Sequence, residues 1–235
     1  MDIHLYNDIH INKNQYAGGL IGIAEENTSI KKSSVQRLNS GGFDCGSGNT
    51  CAFGGLIGLV ANNQNGKVIV NQTFVTGSIY TKKNAGGLIG FIEPQANIDI
   101  LNSYAIVNVS NRCNDVGDCL AKYAGGLIGR AKEDEKGSLG VIHLQQVYAA
   151  GEINVLDERG GKGIVGGDAE DPATRVIGYE SYFDTNKTTQ NQAGDNISIG
   201  LSAQQMHNPA YFYNWDREIW QIQQGQYPQL IHVKP

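Results

Sequence analysis

The sequence predicts an all-β protein, a three-faced parallel β-helix (β-solenoid) closed by an aromatic C-terminal cap. Three observations predict it. First, Gly-Gly-Leu-Ile-Gly occurs four times, at 18–22, 54–58, 86–90 and 125–129, and a degenerate copy, Lys-Gly-Ile-Val-Gly, occupies 162–166. First glycines are spaced by 36 (54 − 18), 32 (86 − 54) and 39 (125 − 86) residues, and self-similarity at about 20–50 residues marks stacked repeats. Second, glycine interrupts nearly every window in which apolar residues could recur at i, i+3, i+4 and i+7, so helices are excluded over most of the chain. Third, aromatic residues crowd the last quarter, where the glycine periodicity stops.

Each repeat reads as three strands. The glycine run is the first; Gly18, Gly19, Gly22, Gly54, Gly55, Gly58, Gly86, Gly87, Gly90, Gly125, Gly126 and Gly129 permit tight backbone approach and bends between faces. Leucine and isoleucine adjacent in that strand would point to opposite sides, so one of them needs an outer cover. The second strand carries a large apolar column, Leu38, Phe74, Tyr104, Tyr148 and Tyr182, and two residues earlier a polar column, Gln36, Gln72, Asn102, Gln146 and Glu180. Residues i and i+2 share a strand face, so stacked coils should place an aromatic ladder beside an amide ladder. The third strand follows a turn, at 77–80, 108–110 and 151–155, with β-branched character. One short helix is expected at 202–207, with Ser202 as N-cap and Pro209 limiting it.

About five coils, spaced by roughly 4.8 Å, would make a rod some 25 Å long. Residues 1–177 read as the solenoid and 178–235 as the capping segment. Residues 5–11 align with 147–153, so the chain enters in mid-repeat and reads as an excised piece of a longer polypeptide.

Net charge is −5 with a pI near 5.5; no basic stripe exists to neutralise phosphates, so nucleic acid is not an expected partner. No apolar stretch approaches the roughly 20 residues of a membrane helix, and the first residues lack the basic and apolar regions of a signal peptide. Four cysteines form two pairs of equal spacing, Cys45 with Cys51 and Cys113 with Cys119. Zinc ligands usually stand two to four residues apart, often with histidine nearby; here no histidine is close. Two local disulfides, each pinning a Gly/Asn/Asp-rich hairpin, are the favoured reading and place the chain in an oxidising, extracytoplasmic compartment. Four reduced thiols, and a pairing between the two loops, are the alternatives.

Two readings fit the aromatic C-terminus. A solenoid needs its open end covered, because an exposed edge invites pairing with another chain; alternatively Trp215, Trp220, Tyr211 and Tyr213 form a platform on which sugars stack. For catalysis the residues offer little. No His-Glu-x-x-His, Gly-x-Ser-x-Gly or phosphate loop occurs, and a polysaccharide-cleaving site needs clustered carboxylates. Only Glu152, Glu180 and Asp184 stand near the aromatic column. The acidic segment at 166–171 lacks the ordered ligand spacing of a calcium loop. No cofactor and no metal are expected.

The glycine runs, each trailing a Tyr/Phe-centred strand, resemble the GLUG motif. Trp215-Asp216, Ile219-Trp220 and the stretch Gly225-Gln226-Tyr227-Pro228-Gln229-Leu230 are similar to the segment that closes GLUG arrays. The resemblance covers nearly the whole chain. It implies a right-handed β-helix exported to the bacterial surface, as in filamentous-haemagglutinin-like adhesins, autotransported passengers and non-catalytic regions of IgA-cleaving metallopeptidases. The expectation is a non-catalytic, extracellular adhesin module that binds, or presents binding to, a glycan, matrix protein or other surface ligand, with neighbouring modules of a parent protein as further partners. The alternatives are a polysaccharide lyase or hydrolase on a β-helix, and an accessory region of a metallopeptidase. The cysteine pairs depart from the usual GLUG pattern.

Overall fold

The computed structural model describes residues 4–8, 16–40, 51–62, 66–81, 84–110, 123–131, 140–155, 160–167 and 175–233. These are nearly all parallel β-structure, in a β-helix-like stack. One sheet holds Tyr16–Gly18, Ala52–Gly54, Asn84–Gly86, Ala124–Gly125 and Gly161–Lys162. A second holds Ile21–Ala24, Ile57–Val60, Ile89–Ile92 and Ile128–Ala131. The third and largest runs through His4–Asp8, Ser29–Asn39, Val68–Tyr80, Ile98–Ser110, Ile142–Ala149, Val176–Asp184 and Ile199–Leu201, with Ile153–Asn154 beside Ile98–Ser110. Within each sheet the strands follow sequence order and pair in parallel, as coils stacked on one another must. A short antiparallel pair, Trp220–Gln221 with Gln229–Leu230, lies outside this stack.

The glycine run is a corner rather than a strand. Its first glycine ends a strand of the first sheet and its isoleucine opens a strand of the second, with a bend at the second glycine and leucine. That bend removes the expected conflict between neighbouring leucine and isoleucine. Leu56 and Ile57, Leu88 and Ile89, and Leu127 and Ile128 all lie in one interior cluster at 0 % exposure, so neither needs an outer cover. The corner is tied to the next coil by backbone bonds. Leu56 N–H and Ile57 N–H both donate to the Leu88 carbonyl, at 2.8 and 2.9 Å. Glycine is required because a Cβ at Gly55 would fall on the Gly87 carbonyl oxygen.

The expected second and third strands are one continuous strand in two coils, thirteen residues long at Val68–Tyr80 and at Ile98–Ser110. Only the fourth coil breaks it, between Ile142–Ala149 and Ile153–Asn154. The expected polar column stands where the strand turns: Gln72, Asn102, Gln146 and Glu180 all have φ between 46° and 56°. This left-handed residue changes the phase of the strand. Val68 and Val70 point inward before Gln72, whereas Thr73, Val75 and Ile79 are buried after it. Asparagine tolerates this backbone region better than most residues, and side-chain bonds between coils support it. Asn102 Nδ2 donates to Asn71 Oδ1 at 3.1 Å and Gln146 Nε2 to Glu180 Oε2 at 3.0 Å.

Register corrects the alignment of the first coil. Ser34 pairs with Phe74, and Lys31 and Ser33 pair with Asn71 and Thr73. Ser34 and Lys32 therefore hold the two column positions, not Leu38 and Gln36; Lys32 has the matching φ of 48°. Leu38 faces Gly77 across a β-bulge between Val35 and Leu38 and is buried inward. A bulge inserts one unpaired residue and shifts everything beyond it, which is why matching on the large apolar side chain misleads. Similarly His4, not Tyr6, pairs with Ser34.

The C-terminal segment departs from the expectation twice. The strand Val176–Asp184 pairs along its length with Ile142–Ala149, so the expected boundary at 177/178 falls inside the sheet. The end of the stack is covered by the next stretch instead: Gly163 N–H donates to Gln192 C=O and Ile164 and Val165 N–H to Ala193 C=O, while Ile199–Leu201 pairs with Tyr182–Asp184. The remainder folds back along the outer face of the large sheet and creates a second core there. This core joins Phe74, Tyr104 and Tyr148 to Leu201, Met206, Phe212, Trp215, Trp220, Leu230 and Val233. The short helix forms at Ala203–Met206 with Ser202 as N-cap in a capping box with Gln205.

Candidate functional site

Two outer surfaces can carry function: the aromatic face beneath the C-terminal segment, and a polar cleft beyond it. On the first, Phe74, Tyr104 and Tyr148 stack with centroid separations of 5.0 and 4.8 Å and interplanar angles of 4° and 6°. The expected ladder is thus present in three coils. Tyr182 continues its column but packs on Trp215 and edge-on to Phe212.

Both tryptophans belong to this core, Trp215 at 2 % and Trp220 at 1 % exposure. Their rings contact each other at 4.5 Å, Trp220 leans on Tyr104 and Tyr148, and its Nε1–H donates to Asn102 Oδ1 at 3.3 Å. Neither presents a free face to a sugar, which corrects the glycan-platform expectation for Trp215 and Trp220. Of the other two residues, Tyr213 is 73 % exposed; Tyr211 is less so, at 38 %, and its hydroxyl accepts from Gln205 Nε2. The polar column is the anchor of the segment: Gln146 Nε2 donates to Asn214 C=O, Asp216 N–H donates to Gln146 Oε1, and Tyr148 Oη donates to Pro228 C=O at 2.8 Å.

Burial dominates the chemistry of this face. It pushes the Tyr104 and Tyr148 hydroxyls well above the ordinary tyrosine value. Tyr182 is raised by burial and then by the nearby Glu180 carboxylate, and Tyr227 by burial and then by its hydrogen bond to Asp184. Neutral phenols suit a static core.

The three carboxylates near the aromatic column have separate surroundings. Asp184 is fully buried, accepts from Asn186 and Lys187 N–H at 2.9 and 3.0 Å, and takes the Tyr227 hydroxyl on its other oxygen. Glu180 accepts from Gln146. Glu152 is exposed and lines the polar cleft. Asp184 and Glu180 are thus engaged in holding the C-terminal turns and the strand corner.

The cleft is open, about 670 Å³, and is lined by Glu152, Asn154, Thr185, Thr189, Gln190 and Asn191, with half-buried Val155 and the backbone of the buried Ile153 beside them. A smaller hollow continues it through Glu152 and Asn154 to Asn108, Ser110 and Tyr80. Register explains the row: Tyr80, Ser110 and Asn154 are successive partners in adjacent strands. The last turn adds its share through Gln190, whose Nε2 donates to the Ile153 carbonyl at 3.1 Å, and Thr189, held at φ 58°. Sequence reasoning read 151–155 as a strand and weighed Glu152 only as a carboxylate near the aromatic column, because nothing in one coil says which side chains of its neighbours will stand beside it.

Arg175 also escaped notice. It is buried and donates through Nη2 to the carbonyls of Ile92 and Glu93 at 3.3 and 3.0 Å, bracing a corner two coils away.

Cys51 is completely buried and holds no free thiol. Cys45, Cys113 and Cys119 lie outside the described residues, as do the acidic residues at 168–171. Among the described residues no group of three His, Cys, Asp or Glu side chains could hold a metal ion, and no helix is long and apolar enough to cross a membrane. No family model, curated protein or solved structure matches this chain.

Proposed function

We propose that the chain is a non-catalytic module of a secreted or cell-surface bacterial adhesin: a GLUG-type, right-handed, three-faced β-helix that binds, or holds out for binding, a glycan or matrix-protein ligand. The observation that carries this reading is the coil-on-coil stacking of the glycine corners, in register with a tyrosine ladder that its own C-terminal segment seals. Such a body is rigid, is not assembled around a reaction centre, and leaves polar outer rows that repeat along its length. Right-handedness agrees with the general handedness of parallel β-connections, which follows from strand twist. Local pairing of Cys45 with Cys51 and of Cys113 with Cys119 belongs to the same reading and fits an extracytoplasmic site; the burial of Cys51 supports it.

The test is an array of glycans and extracellular-matrix proteins probed with the purified chain, the same samples being assayed for new reducing or unsaturated sugar ends. Saturable binding without new ends is expected. Release of ends would replace this reading with a carbohydrate-active enzyme.

A further inference from the structure

We infer that the polar cleft running from Tyr80 to Asn191 is a carbohydrate subsite that takes a neutral, hydroxyl-rich glycan lying along the stacking direction. The inference rests on the adhesin reading above and gives it a place and a ligand class. Tyr80, Ser110 and Asn154 come from successive strands, and the last turn extends the row with Thr189, Gln190 and Asn191. Neighbouring strands repeat at about 4.8 Å, a pitch close to the length of one pyranose unit, so consecutive sugar residues would each meet a fresh amide or hydroxyl.

The side chains match that chemistry. Glu152, Asn154 and Asn191 make no side-chain hydrogen bond among the described residues, and all three are exposed. Asn108 gives its carbonyl oxygen to the Glu152 N–H at 3.0 Å, which turns its amide NH2 outward as a donor. Half-buried Val155 supplies an apolar patch for a sugar ring, and pockets that orient a ligand through a few polar groups over apolar surface are the common form. Among the described lining residues there is no lysine or arginine and one carboxylate, Glu152. A sulfated or uronate-rich chain would find no counter-charge there, and the protein as a whole is negative. An extended peptide would find one outer strand edge there, that of Ile153–Asn154, and its Ile153 carbonyl is already taken by Gln190 Nε2.

The experiment is calorimetric titration of the whole chain with chito-, gluco- and manno-oligosaccharides, with heparan sulfate and alginate as polyanionic comparisons. Asn154→Ala and Asn191→Ala break no bond among the described residues, so their melting temperatures should match the parent. Each should weaken binding of a neutral oligosaccharide roughly fivefold, the loss of about one hydrogen bond. Tyr213→Ala, on the C-terminal segment, should leave it unchanged. Neutral-glycan binding that survives both asparagine variants overturns the subsite and leaves the adhesin reading intact. Binding confined to polyanions or to matrix proteins overturns the ligand class. Absence of binding to every probe overturns the inference, and antibody labelling of the native protein on intact cells then judges the adhesin reading separately.

Discussion

Gly22 and Gly58 occupy the same position of the same five-residue motif, yet replacing each by alanine should shift stability in opposite directions. At Gly58 an added Cβ would stand 2.6 Å from both Ala17 N and Gly22 O, backbone atoms of the preceding coil. Ordinary contact would need those strands to part by most of an ångström. The bonds at risk are Leu20 and Ile21 N–H to Leu56 C=O, each 3.0 Å. Weakening the bonds of these two half-buried donors costs about 0.5–1.5 kcal/mol each, and overpacking adds about 1–3 kcal/mol. Gly58→Ala should therefore lose about 2–6 kcal/mol, a large part of the roughly 5–15 kcal/mol that holds a typical domain. At Gly22 the nearest atom among the described residues is Tyr16 O at 3.7 Å, and the residue is exposed. Gly22→Ala should gain about 0.4–1 kcal/mol by restricting the unfolded chain. Urea denaturation of the two variants beside the parent measures both. Equal destabilisation, or a tolerated Gly58→Ala, would refute the claim that stacking of coils, not the motif itself, makes these glycines necessary.

Other perturbations probe the second core. Trp220→Ala removes a buried ring and its bond to Asn102 and should cost about 3–5 kcal/mol; proteolysis at Arg217 should become fast, whereas Trp220→Phe should stay resistant. Asp184→Ala loses the cap of Asn186 and Lys187 and the acceptor of Tyr227, for about 2–4 kcal/mol by thermal melting. Alkaline pH should destabilise the fold. The Tyr104 and Tyr148 hydroxyls are raised by burial above their unfolded value of 10.0, so their contribution is complete below about pH 10 and is lost as pH climbs from there toward the folded values. The unfolded state then releases protons first, and the two together should cost roughly 3 kcal/mol per pH unit. Urea midpoints measured from about pH 9 upward check this slope, to which the raised Tyr182 and Tyr227 add, and Tyr148→Phe should remove about 1.4 kcal/mol per pH unit from it.

Much of this protein was legible in one dimension because its information repeats. A period carried by Gly-Gly-Leu-Ile-Gly and by Phe74, Tyr104 and Tyr148 needs only to be stacked, and parallel strands in sequence order follow. The N-cap at Ser202 was equally local, and the structure adds its capping box with Gln205, three residues away. Errors arose where a residue's role depends on another coil. Leu38 looked like a ladder residue until the bulge at Val35–Leu38 moved it inward. The adjacent Leu56 and Ile57 looked opposed until the corner turned both into the core.

The sequence by itself determined the repeat, the β-class and the rows that stack, because side-chain period and glycine placement act within a few residues. Only the tertiary structure decided what the aromatic C-terminus does. Trp215 and Trp220 could have been exposed to a sugar or buried under a turn, and composition is the same in both cases. The folding back of 202–233 onto Tyr104 and Tyr148 buries them, since covering that apolar face removes it from water. The polar cleft likewise exists only once Tyr80, Ser110, Asn154 and Gln190, a hundred residues apart along the chain (190 − 80 = 110), are brought side by side by register.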